Sequence, residues 1–223
     1  MVKMKIYQIY YDDQSKSALN PNFIPFNNTH PEKPFEFEYG VMRKLYFKSD
    51  TFSDDGFLGV MSWKFQQKTY VSPAKFIGWM EWMHKKKVGD IYTINPYPHE
   101  SKIFENVWQQ GNHFHPGLLD FACEMFDKAG IDKELLTLKH PPSVACYCNY
   151  WVAKQSFWDV YMSYTEKLYK AVYESDAAIQ NYAFRIQADK KIKSGMFSFL
   201  FERMFSTVLA KHQEEFKVYP YYI

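Results

Sequence analysis

Between Asn106 and Gly117 the chain packs Trp108, Gln109, Gln110, Asn112, His113 and His115 into twelve residues. Amides and imidazoles both donate and accept hydrogen bonds, and an indole stacks on C–H faces, so this density suits a ligand made of hydroxyl groups, a sugar first of all. The competing reading is a loop whose polar side chains satisfy their own backbone. His113 and His115 would lie on one side of an extended backbone, and with His84 or His99 they could hold zinc. No H-E-x-x-H motif or cysteine pair accompanies them, so hydrogen bonding to a ligand or within the loop are the other roles open to them.

Glu202 and Arg203 stand in a strongly apolar neighbourhood, Phe199-Leu200-Phe201-Glu202-Arg203-Met204. Either the two pair and steady a helix, or the carboxylate faces a cleft as a base. Asp12, Asp13, Asp54 and Asp55 fall where turns and solvated carboxylates are common. No glycine-rich dinucleotide fingerprint, phosphate-binding loop or nucleophile elbow occurs, which disfavours nicotinamide enzymes, phosphate-loop ATPases and α/β hydrolases.

The elements that must position these residues alternate. Lys3 to Tyr10 has the pattern of a first strand, and Tyr11-Asp12-Asp13 follows its carboxyl end, where open α/β sheets bind ligands. Pro and Asn make residues 20–34 a long loop. A helix is predicted over Phe35–Lys48 and a buried strand over Phe57–Met61, ending in Ser62-Trp63-Lys64. Ser72-Pro73 starts a helix that closes in Lys85-Lys86-Lys87, and Asp90–Asn95 forms a third strand. A helix follows His115-Pro116-Gly117 and stops at Gly130. Ser143–Val152 reads as the fourth strand, with Cys146, Cys148 and Tyr150 on one face. Beyond Ser156 the texture is helical, through 157–172, 176–186 and Phe197–His212, and Phe216–Tyr222 is a strand or an aromatic tail. Strand alternating with helix argues a mostly parallel sheet flanked by helices, in one α/β domain: 1–155 alternating, 156–223 helical.

The chain has 223 residues, 47% hydrophobic and 20% aromatic, with a formal charge of +2. The mixed, scattered charges leave no electrostatic footprint for nucleic acid. Lys85–Lys87 and the cluster Asp189-Lys190-Lys191-Ile192-Lys193 read as solvated helix ends. Three cysteines, Cys123, Cys146 and Cys148, cannot all pair within the chain and point to a reducing compartment. No apolar run approaches the roughly 20 residues of a membrane span, and the first residues lack a signal-peptide core.

Several segments together resemble one family. Tyr7–Tyr11, Phe23–Thr29, Gly59–Phe65, Asp90–Tyr92, Gln110–Gly117, Cys148–Lys154 and Phe201–Ser206 are similar, in order, to small sugar transferases encoded with bacterial capsule and lipopolysaccharide O-chain genes. The resemblance implies the GT-A class of glycosyltransferases: a Rossmann-like domain that takes a nucleotide-sugar at the carboxyl ends of its first strands. It implies Tyr10, Tyr11, Ser62, Trp63 and Lys64 on the donor nucleotide, and Trp108, Asn112, His113, His115 and Asn149 on the sugar or acceptor. Glu202 maps to the late acidic residue that serves inverting members as general base. That class also implies a divalent metal, manganese or magnesium, held by Asp-x-Asp. Here the candidate strands end in Ser62-Trp63-Lys64 and Ile94-Asn95-Pro96, so the pair is missing, and Lys64 is the side chain that could neutralise a diphosphate in its place.

The resulting expectation is a cytoplasmic glycosyltransferase, peripheral at the inner membrane face through its acceptor or a partner. It would move a sugar from a nucleotide-sugar to a surface-polysaccharide or lipid-linked acceptor. A sugar-binding module without catalysis and a metal-dependent hydrolase built on His113 and His115 are the alternatives. Stoichiometric zinc would favour the latter.

Overall fold

The computed structural model describes residues 3–185 and 194–223. The cluster 189–193 and Ile186, where a helix was expected to end, lie outside the described residues. Six strands form one sheet: β1 (Lys5–Tyr10), β2 (Ile24–Asn27), β3 (Phe57–Ser62), β4 (Ile91–Ile94), β5 (Trp151–Lys154) and β6 (Val218–Tyr221), in the order β2-β1-β3-β5-β4-β6. β1 pairs in parallel with β2 and β3, as β4 does with β6; β5 is antiparallel to both neighbours. The chain is thus the expected α/β fold, with five strands pointing one way and one reversed.

Three expectations are corrected. Ile24–Asn27, assigned to a loop, is the edge strand β2; Pro25 is tolerated because an edge strand has an unpaired side. The strand expected over Ser143–Val152 is β5, Trp151–Lys154. Cys146 and Cys148 precede it in buried irregular backbone, where Cys146 N–H donates to Ser206 Oγ at 2.9 Å instead of to a strand. Asn106–Gly117 is mostly helix rather than loop.

Alternation along the strands divides the core between the two faces of the sheet. Ile9, Leu58, Val60, Ile91, Trp151 and Ala153 point to one face, where helices α2 (Phe37–Phe47), α5 (Val107–Phe114), α6 (Leu118–Lys128), α7 (Gln155–Tyr173), α8 (Ala177–Phe184) and α9 (Met196–Lys211) pack. Ile6, Phe57, Met61, Tyr92, Ile94 and Val152 point to the other, against α3 (Phe65–Thr69) and α4 (Pro73–Lys86). Ser72 caps α4 as its position before Pro73 predicts, accepting from Lys75 N at 3.3 Å. The short helix α1 (Asp13–Ser17) follows β1 and is opened by a capping box between Asp12 and Ser15. No helix among the described residues is long and apolar enough to cross a membrane.

From β1 the chain steps outward to β2, then returns past β1 to β3. Order reverses between β1 and β3, and the carboxyl ends of strands at such a switch point are where open α/β sheets generally bind ligands. Because β5 is reversed, its amino end reaches the same edge: Ile94 N–H donates to Tyr150 O at 3.0 Å, which brings Cys148-Asn149-Tyr150 to the carboxyl end of β4.

Candidate functional site

Two carboxylates, Glu38 and Glu202, lie within electrostatic reach of one ammonium, that of Lys68. Glu38, in the first turn of α2, accepts from Asn149 Nδ2 at 3.3 Å. Burial raises its pKa, with the charge of Glu202 adding to the shift and Lys68 and Asn149 opposing it. Lys68, near the end of α3, sets its Nζ 3.4 Å from Cys148 Sγ. Burial opposes the Lys68 charge, but Cys148, Glu202 and Glu38 together lift its pKa above the usual lysine range. Burial also raises the Cys148 pKa, so at neutral pH the sulfur is a neutral thiol and the charges of Glu202 and Glu38, rather than the sulfur, favour the ammonium.

Glu202 comes from the second turn of α9, its side chain 26% exposed. Its Oε2 accepts from Arg203 Nη1 at 3.0 Å. Arg203 is buried, and its Nη1 also donates to Phe199 O at 2.9 Å while Nη2 donates to Gln110 Oε1 at 3.2 Å. Gln110 Nε2 in turn donates to Glu100 Oε2 at 2.5 Å. Of the two readings of Glu202 and Arg203, the structure has the pairing: the two side chains are joined on α9.

The polar stretch works differently from a ligand loop. Asn106 caps α5, accepting from Trp108 N at 3.0 Å and Gln109 N at 2.9 Å. Trp108 is fully buried with its indole N–H on Thr207 Oγ1 at 2.9 Å, so its face belongs to the core and offers no stacking surface. Asn112 Oδ1 accepts from Gly117 N and Leu119 N and starts α6. His115 is buried and stacked on Phe199, ring centroids 3.5 Å apart, whereas His113 is exposed against Phe104 and Phe114. Helical geometry turns residues two apart to different sides, which separates the histidines. Among the described residues no three His, Cys, Asp or Glu side chains are placed to hold a metal ion. The helix instead brings Gln110, Gly111 and His115 against Arg203 and Phe199 of α9.

The other expected residues end or follow β1 and β3. Tyr11 lies near Phe37 and within electrostatic reach of Glu38, and Tyr10 ends β1 with Lys16 over its ring. Ser62 is buried and its Oγ accepts from Lys64 N at 3.1 Å. Lys64 is exposed, its Nζ 4.9 Å over the Trp63 ring, so the lysine within electrostatic reach of Glu38 and Glu202 is Lys68 rather than Lys64. Asp90 sits at the opposite sheet end, paired with Lys154 at 2.9 Å, as its place at a strand start predicts.

No family model matches the chain, and no curated protein matches it in sequence. In structure it is similar to the apo structure of WbbM, a bifunctional glycosyltransferase. The TM-score is 0.52 and the identity 13%, over 99% of this chain and 44% of that one. The likeness shows a shared fold, and this chain spans less than half of that protein's length.

Sequence reasoning missed Glu38, Lys68, Glu100 and the Gln110–Arg203 contact. Glu38 carried a signal, since Phe35-Glu36-Phe37-Glu38-Tyr39 sets acids among aromatics at a helix start. Lys68, in Gln66-Gln67-Lys68-Thr69, carried none.

One buried group makes this support pH-dependent. His140 Nδ1 accepts from Val107 N at 3.4 Å at the start of α5, and burial lowers its pKa to about 4. The folded state keeps this histidine neutral, so above its unfolded pKa of about 6.5 its burial carries no proton penalty. Between about 6.5 and about 4 the unfolded chain takes the proton first, and stability falls by about 3 kcal/mol in all. Urea unfolding of wild type and His140→Gln at pH 7 and pH 4.5 should show the steeper loss in wild type. Equal slopes would refute the assignment.

Proposed function

We propose that the chain is a glycosyltransferase that moves a sugar from a nucleotide-sugar onto a surface-polysaccharide or lipid-linked glycan. The observation that carries this reading is the meeting of Glu38, Glu202, Lys68 and Asn149 at the carboxyl ends of β1, β3 and β4. The fold shared with a bifunctional glycosyltransferase supports it. Tyr10, Tyr11, Ser62, Trp63 and Lys64 border the donor nucleotide, Lys64 standing beside its diphosphate. The sugar lies inward against Asn149 and Glu38.

In the reaction Glu202 Oε1 takes the proton of the acceptor hydroxyl. The freed oxygen forms its bond to the anomeric carbon as the bond from that carbon to the diphosphate oxygen breaks, and the nucleoside diphosphate departs with the electron pair. Configuration inverts. The described residues do not fit the divalent metal that the sequence resemblance implies: paired aspartates are absent from both strand ends, and no three His, Cys, Asp or Glu side chains are placed to hold an ion. No step runs through a metal.

Titration calorimetry with UDP, GDP, CDP, CMP and dTDP, with and without chelator, tests the donor site. One nucleotide should bind in both conditions, and Lys64→Ala should weaken its diphosphate about tenfold while leaving the nucleoside unchanged. Absence of binding by every nucleotide overturns the reading. Equal weakening of diphosphate and nucleoside removes Lys64 from the phosphate.

A further inference from the structure

A cavity of about 430 Å³ runs along α2, bounded by Tyr169 of α7 and by residues that follow β2, among them Asn28 and Lys33. Because β2 is parallel to β1, the chain leaves it at the same edge of the sheet as Tyr11. Phe37 joins the two places: its ring centroid lies 6.5 Å from that of Tyr11, and it also lines the cavity. One helix therefore serves both, with Glu38 on Asn149 and Gly40, Lys44 and Lys48 along the cavity.

The cavity is built at a cost. Gly40 lies inside α2, where glycine weakens a helix, and a Cβ there would sit 2.8 Å from both Cβ and Oε2 of Glu36. The missing side chain leaves room for that carboxylate. Glu36 is 7% exposed, and its Oε1 accepts from Tyr169 OH at 2.7 Å and Tyr173 OH at 2.6 Å. Its Oε2 makes no hydrogen bond among the described residues, yet it is not sealed from solvent, so a hydroxyl or amine can reach it. Phe37 has a φ of 46°, a region that residues other than glycine seldom adopt and that collects at ligand sites.

Charge adds a second contact. Arg43 is held by Glu166 at 2.7 and 2.9 Å, and Lys33 donates to Tyr169 OH at 2.6 Å beside Glu36 at 3.6 Å. Lys44 and Lys48 have neither a hydrogen-bond nor an ion-pair partner among the described residues, and the remaining charge on the cavity wall is the exposed Glu32. The two lysines are one turn apart on one face, roughly 12 and 18 Å from Glu36 along the helix. Phe47, 59% exposed, offers a ring face near them. A ligand that uses both ends is longer than one sugar ring, with hydroxyls at Glu36 and negative charge at the lysines.

We infer that this cavity holds the acceptor, an oligosaccharide segment bearing a phosphate or a carboxylate, with its hydroxyls on Glu36 and its charge on Lys44 and Lys48. The inference rests on the glycosyltransferase reading and names the acceptor class within it.

Titration calorimetry on the full chain with maltotetraose, maltotetraose 1-phosphate and tetragalacturonate tests it. At least one anionic probe should bind about fivefold tighter than neutral maltotetraose, and the tighter of the two names the charged group. Lys44→Ala with Lys48→Ala should remove that preference, leaving maltotetraose and the donor nucleotide within about twofold, and 1 M salt should remove it as well. Gly40→Ala, whose methyl takes the space of the Glu36 carboxylate, should weaken every glycan that binds. Anionic probes no tighter than maltotetraose, a preference that survives the lysine changes, or glycan affinities untouched by Gly40→Ala each overturn the inference, while nucleotide binding keeps the donor site standing. If no nucleotide binds the wild type, the transferase reading fails and the acceptor assignment with it.

Discussion

Glu202→Gln is expected to lower glycosyl transfer by about 10²- to 10⁴-fold, the usual contribution of a positioned general base. The amide is nearly isosteric and its oxygen can still accept from Arg203 Nη1, so the contact at 3.0 Å is kept in shape while the base is lost. Nucleotide affinity should stay within about twofold, since in the proposed reading the donor nucleotide lies at the rim beside Trp63 and Lys64. Loss of rate without loss of binding is the signature of a group needed only in the transition state. Glu38→Gln is the control. The two acids lie within electrostatic reach of each other, and burial keeps the Glu38 pKa raised. Steady-state transfer by both variants, with nucleotide affinity measured on the same samples, decides between the acids. Retained turnover in Glu202→Gln with loss in Glu38→Gln would move the base to α2. Retained turnover in both would remove the carboxylates from catalysis.

How much of this could be read from the chain depended on whether a residue's role was local. Strands β1, β3 and β4, the capped start of α4 and the apolar helix α9 were legible because hydrophobic period and caps are local signals. β2 was not, because its four residues include Pro25 and are largely exposed, so it lacks the alternation of a half-buried strand. α5 was hidden by composition. Its polar residues suggested a ligand loop, but Asn106 caps it and Gln110 reaches Arg203, which lies 93 residues away. The stretch before β5 misled for a related reason. Cys146 to Tyr150 is buried, as a strand would be, yet its backbone is served partly by Ser206 on α9, a partner that no local pattern announces. Lys68 and Glu38 meet across the sheet edge from different helices, and only the crossing of β1 and β3 brings them together. The placement of Glu202 in an apolar helix was visible. The reason it is held there was not.

That reason leads to a second large effect, at a residue with no side chain. Gly111 lies in α5 against α9, and a methyl group added there would collide with Arg203 Nε and sit 2.8 Å from Leu118 Cδ2. Leu118 could swing aside, but Arg203 is 5% exposed and held by Phe199 O, Glu202 and Gln110, so its guanidinium has no free direction to move. Gly111→Ala must therefore part the helices or displace the arginine and strand a buried charge, which costs about 3–5 kcal/mol. Alanine's better helix propensity returns about 1 kcal/mol, leaving a net loss of about 2–4 kcal/mol, or roughly 5–15 °C in Tm for a chain of this size. Where the variant still folds, transfer should fall as well, because Glu202 loses the donor that orients it. The double variant Gly111→Ala, Arg203→Met separates the two consequences. An apolar, flexible side chain relieves the clash and the stranded charge, so thermal stability should recover in part, with a coupling that the single changes do not predict. Turnover should not recover, because no group then aims the carboxylate. A Gly111→Ala protein as stable as wild type would mean that α5 and α9 do not approach this closely, and the support assigned to Glu202 would fall with that contact.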